Sequence, residues 1–281
     1  MRNYFEDKVV IVTGGASGIG RCLCEELGKR NAFVIVADIN MKDAERVATV
    51  ISEYGGKSLA MEIDVSNSAQ VKDLITRIIT EYKRLDILFN SAGIGLAAEV
   101  RDMELVHWER LMKINVSGVV YCTNFGYQAM AEQGFGHIIN IASLSGVCPG
   151  PMNTAYAMTK HAVVGLSSSL RPEAAALGVK ISVVCPGPVK TRIYSRENGL
   201  NVDMEALVAK LPFKMMDPAK AALQILSGVR KNKGIMIFPF YAKVLVWVYR
   251  HFPWILIPWF RLKAKHFRAL RQAPALPAIA R

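Results

Sequence analysis

Seven short apolar runs, separated by stretches of helical spacing, constrain what this 281-residue chain can fold into. The runs at 8–12, 33–37, 58–63, 85–89, 137–141, 180–184 and 234–238 are rich in Val and Ile and read as strands. Helix-compatible stretches follow at 21–30, 42–54, 68–82, 105–133, 154–177 and 218–229. Strands apolar on both faces and alternating with helices predict an α/β fold, a doubly wound parallel sheet of about seven strands with helices on both sides. In such sheets ligands bind at the carboxyl ends of the strands. Asp38, Asp64, Asn90, Ser143 and Pro186 all fall at those ends.

The first strand runs into Thr13-Gly14-Gly15-Ala16-Ser17-Gly18-Ile19-Gly20, and a helix follows. Glycines in a strand-to-helix turn let backbone approach a pyrophosphate, which the positive end of the helix then favours. The second strand ends in Asp38, eighteen residues past Gly20. A carboxylate there accepts hydrogen bonds from ribose hydroxyls and repels a 2′-phosphate. It could equally cap the helix that starts near Met41. Ser17 and Ile39 carry no charge, so NAD is favoured over NADP. Ser66 or Ser68 is expected to cap the third helix, and Asp217, ahead of Pro218, the helix at 218–229.

Ser143 lies thirteen residues before Tyr156, and Lys160 follows Tyr156 by four. On a helix from 154 the tyrosine and lysine share a face one turn apart. A cation close to a phenol favours the phenolate and moves the tyrosine toward the range of a general acid or base. Any helix can carry this spacing as a solvated pair, so the neighbouring residues decide its meaning.

Together these residues resemble the short-chain dehydrogenase/reductase family, a Rossmann-type fold, over about Lys8 to Pro239. TGGASGIG is similar to the family's glycine motif. Ser143, Tyr156 and Lys160 fall at its catalytic spacing, and Asn115 matches its helix asparagine. Pro186-Gly187 with Thr191 matches its nicotinamide-binding segment. Asn90-Ser91-Ala92-Gly93 departs from the usual N-N-A-G at one position, which puts a small change in stability or cofactor affinity in prospect. The resemblance implies that Ser143 and Tyr156 hold the substrate oxygen and that Tyr156 moves the proton. Lys160 would bind the ribose and lower the tyrosine pKa, and Asn115 would hold a water for proton relay. It further implies cofactor contacts at Gly14, Ser17, Gly18, Ile19, Gly20, Asp38, Asp64, Val65, Asn90, Ala92 and Gly93, then at Tyr156, Lys160, Pro186, Gly187, Val189 and Thr191. Family members are commonly dimers or tetramers through the helices that hold Asn115 and Tyr156, so a homodimer or homotetramer is expected.

The net charge of +12 is concentrated at one end. No acidic residue follows Asp217, whereas twelve basic ones do; the first 217 residues hold 35 − 12 = 23 basic side chains against 23 acidic. We divide the chain into a catalytic domain, 1–240, with an apolar lid at about 191–217, and a tail, 241–281. Residues 240–260 are long enough to span a bilayer, but Lys243, Arg250, His251, Pro253 and Pro258 argue against a span. Interleaved Trp247, Trp254, Trp259, Phe252 and Phe260 suit a helix lying in an anionic membrane surface, with a basic segment at 261–271 beyond it, rather than nucleic acid. The alternatives are packing on a partner subunit or capping of the active-site mouth. Five cysteines without zinc spacing or a CxxC pair, and no signal peptide, predict free thiols, no metal site, and a cytoplasmic protein peripheral to the inner membrane face.

The expected activity is hydride transfer between NAD(H) and a hydrophobic secondary alcohol or ketone, steroid-, retinoid- or lipid-like. The alternatives are a β-ketoacyl-thioester reductase and, from another class, a non-catalytic NAD-sensing membrane adaptor.

Overall fold

Among the described residues seven strands form: β1 (Val9–Thr13), β2 (Phe33–Asp38), β3 (Lys57–Glu62), β4 (Ile87–Asn90), β5 (Gly136–Ile141), β6 (Val179–Pro186) and β7 (Ile235–Phe238). The computed structural model describes residues 3–211 and 213–271, and in it the strands make one parallel sheet in the order β3-β2-β1-β4-β5-β6-β7. The direction of winding reverses between β1 and β4, which opens a crevice at their carboxyl ends. Register places Thr13 beside both Ala37 and Asn90, and Asn90 beside Asn140. One row of strand ends therefore borders the crevice.

The period-two alternation of β1 sends its side chains into two cores. Val10 and Val12 pack with Leu23 and Leu27 of α1 (Gly18–Gly28) and with Ile225 and Val229 of α8 (Pro218–Arg230). Ile11, on the other face, joins Val71 and Ile75 of α3 (Ser68–Tyr82) and Met130 of α5 (Gly118–Gln133). All of these are buried. Each such side chain contributes about 1.5–3 kcal/mol from area removed from water.

Helix ends follow side-chain reach. Asp217 caps α8 as expected, accepting from the Ala219 and Lys220 amides. The cap of α3 is Asn67, which accepts from Ala69 and Gln70, and not Ser66 or Ser68. Ser66 is held instead in a turn, where its amide donates to Asp64 at 2.9 Å. α2 (Met41–Glu53) is capped by Asn40, which leaves Asp38 outside the helix. The long helical stretch before β5 divides into α4 (Leu105–Met112), one π-helical turn (Lys113–Ser117) and α5. Asn115 sits in the middle of that turn, a feature frequent at functional sites. The helix after Ser143, α6 (Thr154–Ala175), packs on β6.

The tail is not one helix. It breaks at Phe252 into α9 (Phe240–His251) and α10 (Pro253–Ala269), with Pro253 taking the first-turn position where its missing amide costs nothing. α10 returns to the body: Phe267 is buried with Val202 and Met204 beside α7 (Met204–Ala209). Arg268 donates to Glu99 at 2.8 Å, and Arg271 pairs with Asp102. Two cations of the basic segment at 261–271 therefore pair with acids of the chain itself. Residues 272–281 of the tail lie outside the described residues. No helix among the described residues is long and apolar enough to cross a membrane.

Candidate active site

The glycine turn after β1 is built by close approach. Gly14 has φ +66, and a Cβ there would lie 2.7 Å from the Ala92 Cα; a Cβ on Gly20 would lie 2.1 Å from the Gly14 carbonyl oxygen. Ser17 precedes α1 without a side-chain capping bond, so the first-turn amides remain available to an anion. The Asp38 carboxylate accepts from Ala16 N and Asn40 N, both at 3.0 Å, which fixes its direction and leaves lone pairs for hydroxyl donors. Thr13, which sequence reasoning missed, accepts from the amides of Ser91 and Ala92 at 3.2 and 3.3 Å and so ties the β4 turn to the glycine turn. Its signal was present: a polar residue ending an apolar strand.

A cavity of about 290 Å³ opens over this turn. Gly14, Ser17, Gly18, Ile19, Gly20, Asp38, Asp64, Val65, Ala92 and Gly93 line one side. Ser143, Tyr156, Lys160, Pro186, Gly187, Val189 and Thr191 line the other. Their donors and acceptors fit a nicotinamide dinucleotide: amides at a helix start, a carboxylate at a strand end, and a buried cation facing a hydroxyl-bearing wall.

Two expected residues stand behind the cavity rather than on it. Asn90 is fully buried, and its amide donates to Thr123 at 3.1 Å and to Asn140 at 2.8 Å, because its side chain turns into the sheet. It supports the turn and is not a wall residue. Asn115 is also fully buried. Its amide nitrogen donates to the Ile94 carbonyl at 2.9 Å and to Thr159 at 3.2 Å, and its oxygen accepts from the Ile94 amide at 2.9 Å. With the side chain so engaged, Asn115 positions the 93–94 backbone.

Ser143, at the end of β5, has an extended backbone, and its hydroxyl accepts from Ser145 N at 3.1 Å. Burial pushes the Tyr156 phenol up to about 12, opposed by the neighbouring Ser143 hydroxyl. Burial lowers Lys160 to about 8. The Lys160 ammonium donates to the Ile141 carbonyl at 3.0 Å and lies 5.6 Å from the centre of the Tyr156 ring. Burial is the largest cause of both shifts, and at that separation the two groups lie close enough for a bound cofactor's charge to act on both. Tyr156 is a phenol poised to donate.

A second cavity, about 230 Å³, shares Ser143, Tyr156, Pro186 and Gly187 with the first. Its walls are mostly apolar: Leu207 and Leu211 of the 191–217 segment, Cys148, Pro151 and Met152 of the loop after Ser143, and Leu245, Trp259, Phe260 and Phe267 of the tail, with Lys263 among them. Tyr194, in a short helical turn of the lid, borders both cavities. Arg192, two residues before it, lines the cofactor cavity and lies 3.4 Å from Asp43. Neither Tyr194 nor Arg192 was predicted, because no local pattern fixes where a lid folds back. The five cysteines are buried free thiols.

A family model described as short chain dehydrogenase matches residues 8–199. The chain is 36% identical over 188 residues to 3beta-hydroxysteroid dehydrogenase 2 of Eggerthella lenta, covering 66% of this chain and 72% of that one. Among solved structures it resembles a short-chain type dehydrogenase/reductase from Mycobacterium marinum at TM-score 0.76 and 27% identity, over 83% of this chain and 94% of that one. It also resembles a short-chain dehydrogenase from Sphingobium yanoikuyae in complex with NADPH at TM-score 0.74 and 23% identity, over 96% and 98%. That last likeness is one of fold. The site and fold thus define a nicotinamide-dependent oxidoreductase, an alcohol dehydrogenase or ketoreductase. The chain belongs to the short-chain dehydrogenase family.

Proposed function

We propose that this enzyme transfers a hydride between NAD(H) and a hydrophobic secondary alcohol or ketone. The observation that carries the reading is the second cavity, mostly apolar in its lining and sharing Ser143 and Tyr156 with the cofactor cavity. A carbonyl group there is held by the Ser143 and Tyr156 hydroxyls. In reduction Tyr156 donates its proton to that oxygen; in oxidation it receives the proton of the alcohol. The bound nicotinamide supplies or accepts the hydride. Lys160 holds positive charge beside the phenol and presents donors to ribose hydroxyls. Asp38 supports NAD over NADP, while Arg192 is the cation, besides Lys160, that lines the cavity. Turnover of ketones of rising chain length with NADH and NADPH tests both points. Rates independent of chain length would remove the apolar-substrate reading, and tighter NADPH binding the Asp38 one.

We also propose that the outer face of α9 and α10 rests on an anionic lipid surface. Phe240, Trp247, Trp254 and Ile255 are each more than half exposed there, and Lys243, Arg250 and Arg261 are exposed near them. Flotation of the full chain with anionic vesicles should be lost in Trp254→Ser/Ile255→Ser; equal flotation would refute it. Exposed Leu105, Val106 and Val120 on α4 and α5 support a homo-oligomer through those helices, readable by light scattering.

A further inference from the structure

α10 and the turn after it bring Lys263, Arg268 and Arg271 against the body, and two of them meet acids. Arg268 pairs with Glu99 and Arg271 with Asp102. The third, Lys263, lies one turn before Phe267 and lines the second cavity instead. Among the described residues it has no carboxylate partner. Its ammonium sits over the Trp259 ring, 4.7 Å from the centroid, beside the buried Cys148 thiol. Every other wall contributed by the tail is apolar. A half-buried cation on a mostly apolar cavity wall is stabilised when an anion joins it.

We propose that Lys263 is the counter-charge for an acidic substrate: an amphiphile with a carboxylate at one end, held by Lys263, and a secondary alcohol or ketone at the other, held by Ser143 and Tyr156. This rests on the reading of the second cavity as the substrate site. Lys263 and the Ser143–Tyr156 pair, which line the same cavity, then each have a chemical task, and residues such as Leu207, Leu245 and Phe260 line it around the apolar chain. Burial lowers the Lys263 pKa, the direction expected of a cation without a partner, and a bound carboxylate would reverse it. The tail, which no family motif covers, becomes a determinant of specificity.

The test compares a medium-chain fatty acid bearing its ketone at the penultimate carbon with its methyl ester, using the full chain, Lys263→Met and Lys263→Arg. A charged hydrogen bond in a desolvated site predicts that the wild type prefers acid to ester by roughly tenfold or more, mainly through KM. Lys263→Met should erase or invert that ratio, and Lys263→Arg should keep it. Calorimetric binding of the acid reads the same contrast without turnover. If the acid binds but neither ketone reacts, Lys263 stands and the assignment of the reacting end fails. If the ester reacts as well as the acid in wild type and variants, the substrate site stands and the Lys263 proposal is overturned; so it is if the acid does not bind.

Discussion

Lys160 gives a prediction whose size follows from its burial. The side chain is 3% exposed, and its pKa falls from 10.5 to about 8. Two and a half units correspond to about 3 kcal/mol of differential interaction. The sign follows from proton counting. The folded pKa lies below the unfolded one, so between about pH 8 and about pH 10.5 the unfolded chain binds a proton that the folded chain has released, and stability rises with pH. The stability is present above the unfolded value and is lost as pH falls through the folded one. In Lys160→Met this contribution is absent, because methionine does not titrate. The buried Cys185 thiol is the group coupled to Lys160, and at about 12 it titrates above this range, so the difference between the two proteins isolates the lysine. The wild type should therefore gain about 2 kcal/mol relative to Lys160→Met between about pH 7 and about pH 9.5. Urea unfolding at the two pH values, with both proteins treated as two-state, measures it. A difference that does not change with pH would show that the ammonium is solvated or compensated, and the reasoning from burial would fail. Function moves the other way: Lys160→Met should lose most activity, since the cation is spent on the site and not on the fold.

Asp38→Ser removes a carboxylate that accepts two backbone amides and faces the cofactor cavity, so the ratio of NADPH to NADH use should rise at least about tenfold in steady-state kinetics. Asn115→Ala leaves the Ile94 amide and carbonyl without their partner, and unfolding experiments should show a loss of about 2–3 kcal/mol together with lower kcat. Phe267→Ala empties the small core that anchors α10, costing about 3 kcal/mol locally; limited proteolysis should then cut the tail first. Ketone reduction, followed as kcat/KM, should fall as pH rises past about 8, where Lys160 gives up its proton.

The strands, the glycine turn and the Ser143–Tyr156–Lys160 spacing were legible because each is a local pattern. Apolar runs must bury both faces, a turn that touches Ala92 admits only glycine, and a helix sets Lys160 one turn beyond Tyr156. The parallel order then carried every strand end to one crevice, and all but two of the expected site residues reached its walls. Asn90 and Asn115 stayed behind it because hydrogen bonds to Asn140, Thr123 and Ile94 turn their amides inward, a choice made by neighbours far away in the chain. Local pattern likewise placed Lys160 beside Tyr156, but only tertiary burial raises the phenol and lowers the ammonium. The tail shows the division most clearly. Its composition marked it as basic and aromatic; packing alone determined that α10 turns back, pairs Arg268 and Arg271 with acids 169 residues away, and leaves Lys263 facing the apolar cavity. Composition specifies which surfaces need burying, and tertiary contacts select which residues bury them.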